Sequence, residues 1–288
     1  TRSINFDNRR LFYQVETLIF GQSLKRALKP ERIIVGSSSK VLPKKYSKFL
    51  KSFNCPIIEM SYESAEFAKI SINILLASSI TASNLLARLS KKISADWSEI
   101  KPALKLDKRI GKNAYINEGL GISGGNLERD MFTIKTMIKN DKPGNDLIKA
   151  YIKNSEFMKN WVTKILMREK KKDYLVGIFG LAYKDNTNSI KNSPAIELIK
   201  NSNLKKFKTY DPYVETSQSS LKLNKSSKIC EVIKNSKILI FMTNWKNINF
   251  VLKYLKKNNI KKKIVIDPFG ILKKHIEKNC EKYFTIGK

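Results

Sequence analysis

The spacing of apolar and polar positions divides this chain into three zones. Residues 1–60 combine one helical pattern, VETLIFGQSLKRAL from Val15 to Leu28, with two short apolar runs, RIIVGSS and CPIIEM. Bounded by Pro, Gly and Ser, those runs predict strands. Together they read as the tail of an α/β unit whose beginning lies upstream. From about residue 62 to about 171 the period turns helical. SYESAEFAKISINILLASSITASNLLARLSKKI opens on Ser with early glutamates and carries Ala and Ser through its middle. Small side chains at helical spacing let a neighbour approach closely, so this segment predicts a buried packing helix. A second helix is expected from residue 126 or 127 to about 140, where NDKPGND stops it, and a third over roughly 145–170.

Beyond KKKD the period changes again. YLVGIFGLAY (174–183) is a near-continuous apolar run, as expected of a strand buried on both faces. There follow a polar loop, a helix opening at Pro194, KFKTYDP, a helix near 229–235, KILIFMT, a helix near 246–258, and KKIVIDPF. Strands alternating with helices predict a parallel sheet joined by right-handed crossovers.

Composition narrows the functional classes. The 288 residues are 42% hydrophobic and 28% charged, which is globular and enough for one large core or two moderate ones. No unbroken apolar run reaches the roughly 18 residues a membrane span needs, so no membrane partner is expected. The opening TRSINFDNRR has neither Met nor an apolar signal core, and we read the chain as a fragment of something longer. The net charge of +31 comes mostly from lysine in short pairs and triplets, such as 170–172 and 261–263. No tract interleaves Arg with aromatics, so a nucleic-acid partner is not expected. Cys55, Cys230 and Cys280 are far apart and cannot all pair, which predicts buried free thiols in a reducing cytoplasm. His275 is the single histidine, in the Lys-rich LKKHIEKN, where a surface position is expected. A multi-His metal site is excluded, and nothing near His275 supports a catalytic triad.

The stretch GISGGNLERD, from Gly121 to Asp130, admits three readings: a phosphate cradle, a catalytic loop lacking its nucleophile, or a helix cap with a flexible lead-in. Gly119, Gly121 and Gly124 spell G-x-G-x-x-G, with Asp141 about twenty residues on. A dinucleotide turn needs a strand before it and another after its helix. Here RIGKNAYINE leads in and a second helix follows, so that reading is set aside.

The order of segments says more. AEFAKISINILLA puts Lys69 and Asn73 four apart on one helix face. LDKRIG follows, then the glycine loop with Asp130 one turn into its helix, then GLAYKDNTNSIKNSPA and YDP. In this order and spacing the chain resembles the UDP-glucose/GDP-mannose dehydrogenase family from about Glu16 onward, most specifically over 174–212.

The resemblance implies a C-terminal remnant of a Rossmann-type NAD-binding domain over 1–60. It implies a helical central domain forming a homodimer over 61–171, and a C-terminal α/β domain binding the nucleotide sugar over 172–288. It implies NAD as cofactor, most of its site lying in the part that would precede residue 1, and oxidation of a sugar's primary alcohol in two steps. Lys69 and Asn73 match the family's catalytic Lys and Asn, which stabilise developing negative charge and position water. Asp130 matches the acid–base carboxylate, and these three groups are expected to share one cleft. Glu16, Arg109, Gly121, Gly124, Gly125 and Lys184 match substrate-binding positions, Arg109 reaching toward a partner subunit's substrate. Lys191 stands where the family has a cofactor-contacting Arg. On the residues alone, Lys69 reads equally as a solvated charge, and Asp130 as a first-turn acid favoured by the helix dipole.

Three positions depart from the family. Its loop carries a Cys nucleophile where this chain has Asn126; an amide forms no thioester, but Asn is a preferred N-cap, and that role is expected here. A family glutamate falls on Phe20. The late D-G-R motif becomes DPFG, placing Phe269 where an arginine would meet substrate.

Overall fold

The computed structural model describes residues 11–18, 21–39 and 41–287, the side chain of Gln218 excepted; Phe20 and the first ten residues lie outside the described residues. The chain packs as two compact units, Thr1–Leu75 and Leu76–Lys288.

In the first unit, β1 (Tyr13–Gln14), α1 (Ser23–Leu28), β2 (Ile33–Gly36), α2 (Lys44–Lys51) and β3 (Ile57–Met60) precede a long helix, α3 (Tyr62–Lys92). The strands lie in the order β1-β2-β3, with β1 antiparallel and β3 parallel to β2, Ile33 opposite Ile57. Both expected strands form. The helical pattern from Val15 does not become one helix. Val15 N–H instead donates to Ile34 O at 2.9 Å, extending the β1 pairing, and only the stretch after Gly21 (φ +83°) coils. Pairing with β2 overrides the local period. Gly36 is needed where β2 meets the start of α3, because a Cβ there would sit 2.8 Å from Ala65 Cβ.

α3 turns as one 31-residue helix, and the boundary between the units falls inside it. The expectation of a buried packing helix holds for only part of its surface. Ala77, Ser83, Asn84, Ala87 and Ser90 are buried, whereas Leu75, Leu85, Leu86 and Leu89 are exposed. Among the described residues α3 is one helix long and apolar enough to cross a membrane, which corrects the expectation that no segment qualifies: Ala, Ser and Thr interrupt the apolar letters without making the segment polar. Length and composition also suit a packing helix.

The second unit continues with α4 (Trp97–Leu106), α5 (Asn126–Met137), α6 (Lys142–Lys159) and α7 (Trp161–Glu169). The apolar period does not predict α4. Its Asp96 cap accepts Ser98 N–H at 2.9 Å, and Trp97, buried, donates from Nε1 to Ile116 O at 3.2 Å. NDKPGND both stops α5 and starts α6: Asp141 accepts Gly144 N–H at 3.0 Å and Pro143 enters the first turn. The single helix expected over 145–170 is broken at Asn160 into α6 and α7.

Then come β4 (Val176–Phe179), α8 (Pro194–Asn201), β5 (Phe207–Tyr210), α9 (Ile229–Asn235), β6 (Ile238–Phe241), α10 (Asn249–Lys257), β7 (Ile264–Ile266), α11 (Lys273–Ile276) and β8 (Lys282–Phe284). The five strands are parallel in the order β5-β4-β6-β7-β8. Alternate residues feed opposite faces. Val176, Ile178, Ile238 and Ile240 join one buried cluster, while Phe179, Leu239 and Phe241 join another with α9 and α10. Strand order reverses between β4 and β6, so the crevice of this doubly wound sheet opens at the carboxyl ends of those two strands.

Candidate active site

The glycine turn is built against three elements of the second unit. Asn84 of α3, fully buried, accepts Gly119 N–H at 2.8 Å. Gly121 (φ +79°) lies on α6, where an added Cβ would be 2.6 Å from Ser155 O, and Ile122 N–H donates to Ser155 Oγ at 2.9 Å. Gly124 (φ +84°) packs on the Tyr183 ring, and a Cβ on Gly125 would meet Lys191 Cε at 3.0 Å. These glycines are therefore requirements of close approach as much as of backbone conformation.

Asn126 does not cap the helix, contrary to expectation. It is the first helical residue of α5 and exposed, and the cap position belongs to Gly125, which has no side chain to offer a bond. Asp130, one turn on, is buried and its Oδ1 accepts from Arg129 Nε at 2.9 Å. Phe269 sits against Gly119, 3.4 Å from where a Cβ would stand, so an aromatic edge lines the turn at the position of the family's arginine.

The loop after β4 forms the other wall. Gly180 (φ +90°) ends the strand, with Thr243 filling the space a side chain would take, and Thr243 Oγ1 donates to Ala182 O at 2.8 Å. Asp211, from YDP, is buried and accepts four backbone N–H groups: Leu181 at 2.7 Å and Ala182 at 3.1 Å on one oxygen, Tyr213 at 2.8 Å and Val214 at 3.0 Å on the other. It anchors the loop and is a structural residue. Lys184 follows, half-buried; burial and the neighbouring Lys246 charge push its ammonium below the usual lysine range. Lys246 comes from the loop after β6, whose backbone N–H donates to Asp185 at 3.2 Å. Lys246 thus adds a second positive charge in the neighbourhood of Lys184, which favours an anion near the switch point.

The remaining residues stand as follows. Arg109 is 90% exposed and its guanidinium is held by Asp107, Nε to Oδ1 at 3.0 Å and Nη2 to Oδ2 at 2.6 Å, which raises its pKa further. Glu16, in the first unit, is exposed and accepts Thr17 N–H at 2.9 Å. Lys69 is half-buried and Asn73 buried, one turn apart on α3 within the first unit. All three cysteines are free, but half-buried instead of buried, and His275 is exposed as expected. Sequence reasoning missed Lys246, Glu128 and Asn192. Only the position of Lys246 just after an apolar strand gave a usable signal.

The central-domain model of the UDP-glucose/GDP-mannose dehydrogenase family matches residues 63–156, and the UDP-binding-domain model of the same family matches 177–274. The chain is 32% identical over 289 residues to UDP-glucose 6-dehydrogenase of Rickettsia bellii (strain RML369-C), covering 94% of this chain and 65% of that protein. It is 25% identical over 261 residues to UDP-glucose 6-dehydrogenase TuaD of Bacillus subtilis (strain 168), covering 88% and 56%. Its fold is that of a UDP-glucose dehydrogenase from Pyrobaculum islandicum, with a TM-score of 0.78 at 22% identity over 94% of this chain and 62% of that one. The UDP-N-acetyl-mannosamine dehydrogenase Cap5O from Staphylococcus aureus gives a TM-score of 0.73 at 19% identity over 96% and 63%. The architecture is therefore that of the nucleotide-sugar dehydrogenases. The chain belongs to the UDP-glucose/GDP-mannose dehydrogenase family, and spans 65% of the length of the Rickettsia bellii relative.

Proposed function

We propose that this chain carries the substrate-handling part of an NAD-dependent nucleotide-sugar dehydrogenase that oxidises the primary alcohol of a UDP-glucose- or GDP-mannose-type sugar, and that it stops at the aldehyde. The observation that carries this reading is the junction of two loops: the switch-point loop bearing Lys184, with Lys246 beside it, lies directly on the glycine turn through Tyr183 and Lys191. Lys184 and Lys246 would receive the diphosphate. Asp130 would take the alcohol proton, and the family resemblance gives Lys69 and Asn73, in the first unit, the role of stabilising negative charge.

NAD, when bound, accepts the hydride. The glycines at 119, 121 and 124 do not fit its pyrophosphate: the described element before them is the helix α4, not a strand, and α5 is followed by another helix. Lys191 is the one predicted cofactor contact, and its ammonium faces the turn. The second oxidation needs a nucleophile to add to the aldehyde. The Asn126 amide has no such lone pair, whereas a Cys there would stand at a helix N-terminus that favours its thiolate. Exposed leucines on α3 support a homodimer through the central helices, and three free cysteines support a reducing cytoplasm.

The test counts reducing equivalents. The full-length protein with NAD and nucleotide sugar should yield one NADH and an aldehyde per sugar, and Asn126→Cys should add acid. Two NADH per sugar from the native protein would overturn the one-step reading. The 288-residue chain should bind UDP, with Lys184→Ala weakening binding about tenfold, as for loss of one charge-assisted contact. UDP binding with no NADH from the full-length protein would favour a second reading, a nucleotide-sugar-binding relative without oxidation, which the exposed Asn126 and the apolar Phe269 also suit.

A further inference from the structure

Four charged or amide side chains from three helices and a loop meet beside the glycine turn, and the roles proposed above leave them unused. Asn192 ends the switch-point loop in the left-handed region (φ +51°), a conformation Asn tolerates better than most residues. That conformation accompanies an amide bonded to two acceptors. Its Nδ2 donates to Gly124 O at 2.9 Å and to Glu128 Oε2. An NH2 group has two hydrogens, so both bonds can be made at once. Glu128, in the first turn of α5, receives Lys159 Nζ on its other oxygen at 2.8 Å, and Lys159 also reaches Glu197 in the first turn of α8 at 3.3 Å.

The charges suit their places. Lys159 is the last residue of α6, where the helix dipole favours a cation, and both glutamates stand at helix starts, where it favours anions. Lys159 is only 12% exposed. Burial works against its charge, but the bonds and charges of Glu128 and Glu197 outweigh it and hold the ammonium above the ordinary lysine range. This is a fixed brace, unlike a pair of surface charges. The same loop touches the turn twice more, Tyr183 on Gly124 and Lys191 on Gly125.

We infer that Asn192, Glu128 and Lys159 are positioning residues that hold the glycine turn and the switch-point loop in one register, so that an anionic nucleotide seated on the loop also fixes the turn. None of the three touches the reacting atoms in this scheme. Their effect passes through the carbonyl of Gly124 and the first turn of α5, which carries residue 126. The nucleotide half of the inference rests on the function proposed above; the brace itself does not.

Amide hydrogen exchange on the 288-residue chain, with and without UDP, tests both halves. In the ligand-free chain, Asn192→Ala and Lys159→Met should each speed exchange over 119–127 by about tenfold or more, the scale for losing a bond to a charged group. The double variant should be little worse than either single one, because one chain of bonds is cut twice. Exchange in β6 and β7 should not change, which excludes general unfolding. UDP should slow exchange over 181–193 in every form, but over 119–127 only in the native chain. Additive effects of the two substitutions, or equal UDP protection of the turn in native and variant chains, would overturn the brace. Absence of UDP protection over 181–193 would overturn the nucleotide assignment and the coupling with it, while the ligand-free arm still decides whether the brace exists.

Discussion

The C-terminal sheet and α3 use apolar residues in opposite ways. β4 and β6 bury every residue, with Ile178 and Phe241 wholly inaccessible, and the stacked rings of Phe179 and Phe241 lie 4.8 Å apart. α3 turns its small and polar residues inward and leaves Leu75, Leu85, Leu86 and Leu89 to solvent. A strand run that is apolar throughout finds its cover within the chain. A helix that buries Ala and Ser while exposing Leu leaves its large apolar side chains uncovered among the described residues.

That contrast can be broken at several strengths. Phe241→Ala removes a fully buried ring from the sheet core and should cost about 3–5 kcal/mol in denaturant unfolding; a loss under about 1 kcal/mol would mean the core is looser than described. Asp211→Ala strips four buried N–H groups of their acceptor and should cost about 2–4 kcal/mol, detected as a lower urea midpoint with an unchanged slope. Leu85→Ser with Leu89→Ser should shift unfolding of the isolated chain by no more than about 0.5 kcal/mol. Sedimentation should nevertheless show any dimer shifted toward monomer, and an unaltered association constant would remove α3 from the interface.

The smallest effects are in pH. Burial pushes the Asp267 carboxyl above its usual range, although Tyr283 and the Leu272 backbone bond to it. A raised folded pKa means the folded state binds more protons, so this group's contribution falls as pH rises above about 4. Asp267→Asn should flatten that part of the stability profile. Asp96 is the reverse case. Burial opposes its charge, but bonds from Lys273 and Ser98 outweigh that and lower its pKa to about 2, so its contribution is present above about pH 4 and lost as pH falls through about 2. Asp96→Asn keeps the helix cap and should only make the acid limb shallower, by well under 1 kcal/mol at neutral pH. An acid limb as steep as that of the native chain would assign it to other carboxylates.

Much of this was legible where burial acts on consecutive residues. The runs RIIVGSS, CPIIEM, YLVGIFGLAY and KILIFMT became β2, β3, β4 and β6, and α9 occupies 229–235 as its pattern indicated. The failures share a cause. Val15 was drawn into strand pairing, α4 and β8 depend on a cap and an edge, and the break at Asn160 follows no change of period. Order and spacing placed Lys184 after the first strand of the C-terminal sheet, and it does follow β4. The brace was illegible because its bonds join residues as far as 68 apart, from Gly124 to Asn192, and no local pattern records such a partner. Asn126 misled because a good capping residue need not take the cap position: α5 starts at Asn126 itself, with Gly125 before it.

The contact between Gly121 and Ser155 sets which way anything can arrive. The turn lies flush on the α6 main chain, with Ile122 tied through both its amide and its carbonyl to one hydroxyl. Nothing can enter beneath it, and a larger residue at 155 would lift the whole segment. Enlarging position 155 would therefore displace the turn from its support while leaving every side chain on the turn itself unchanged.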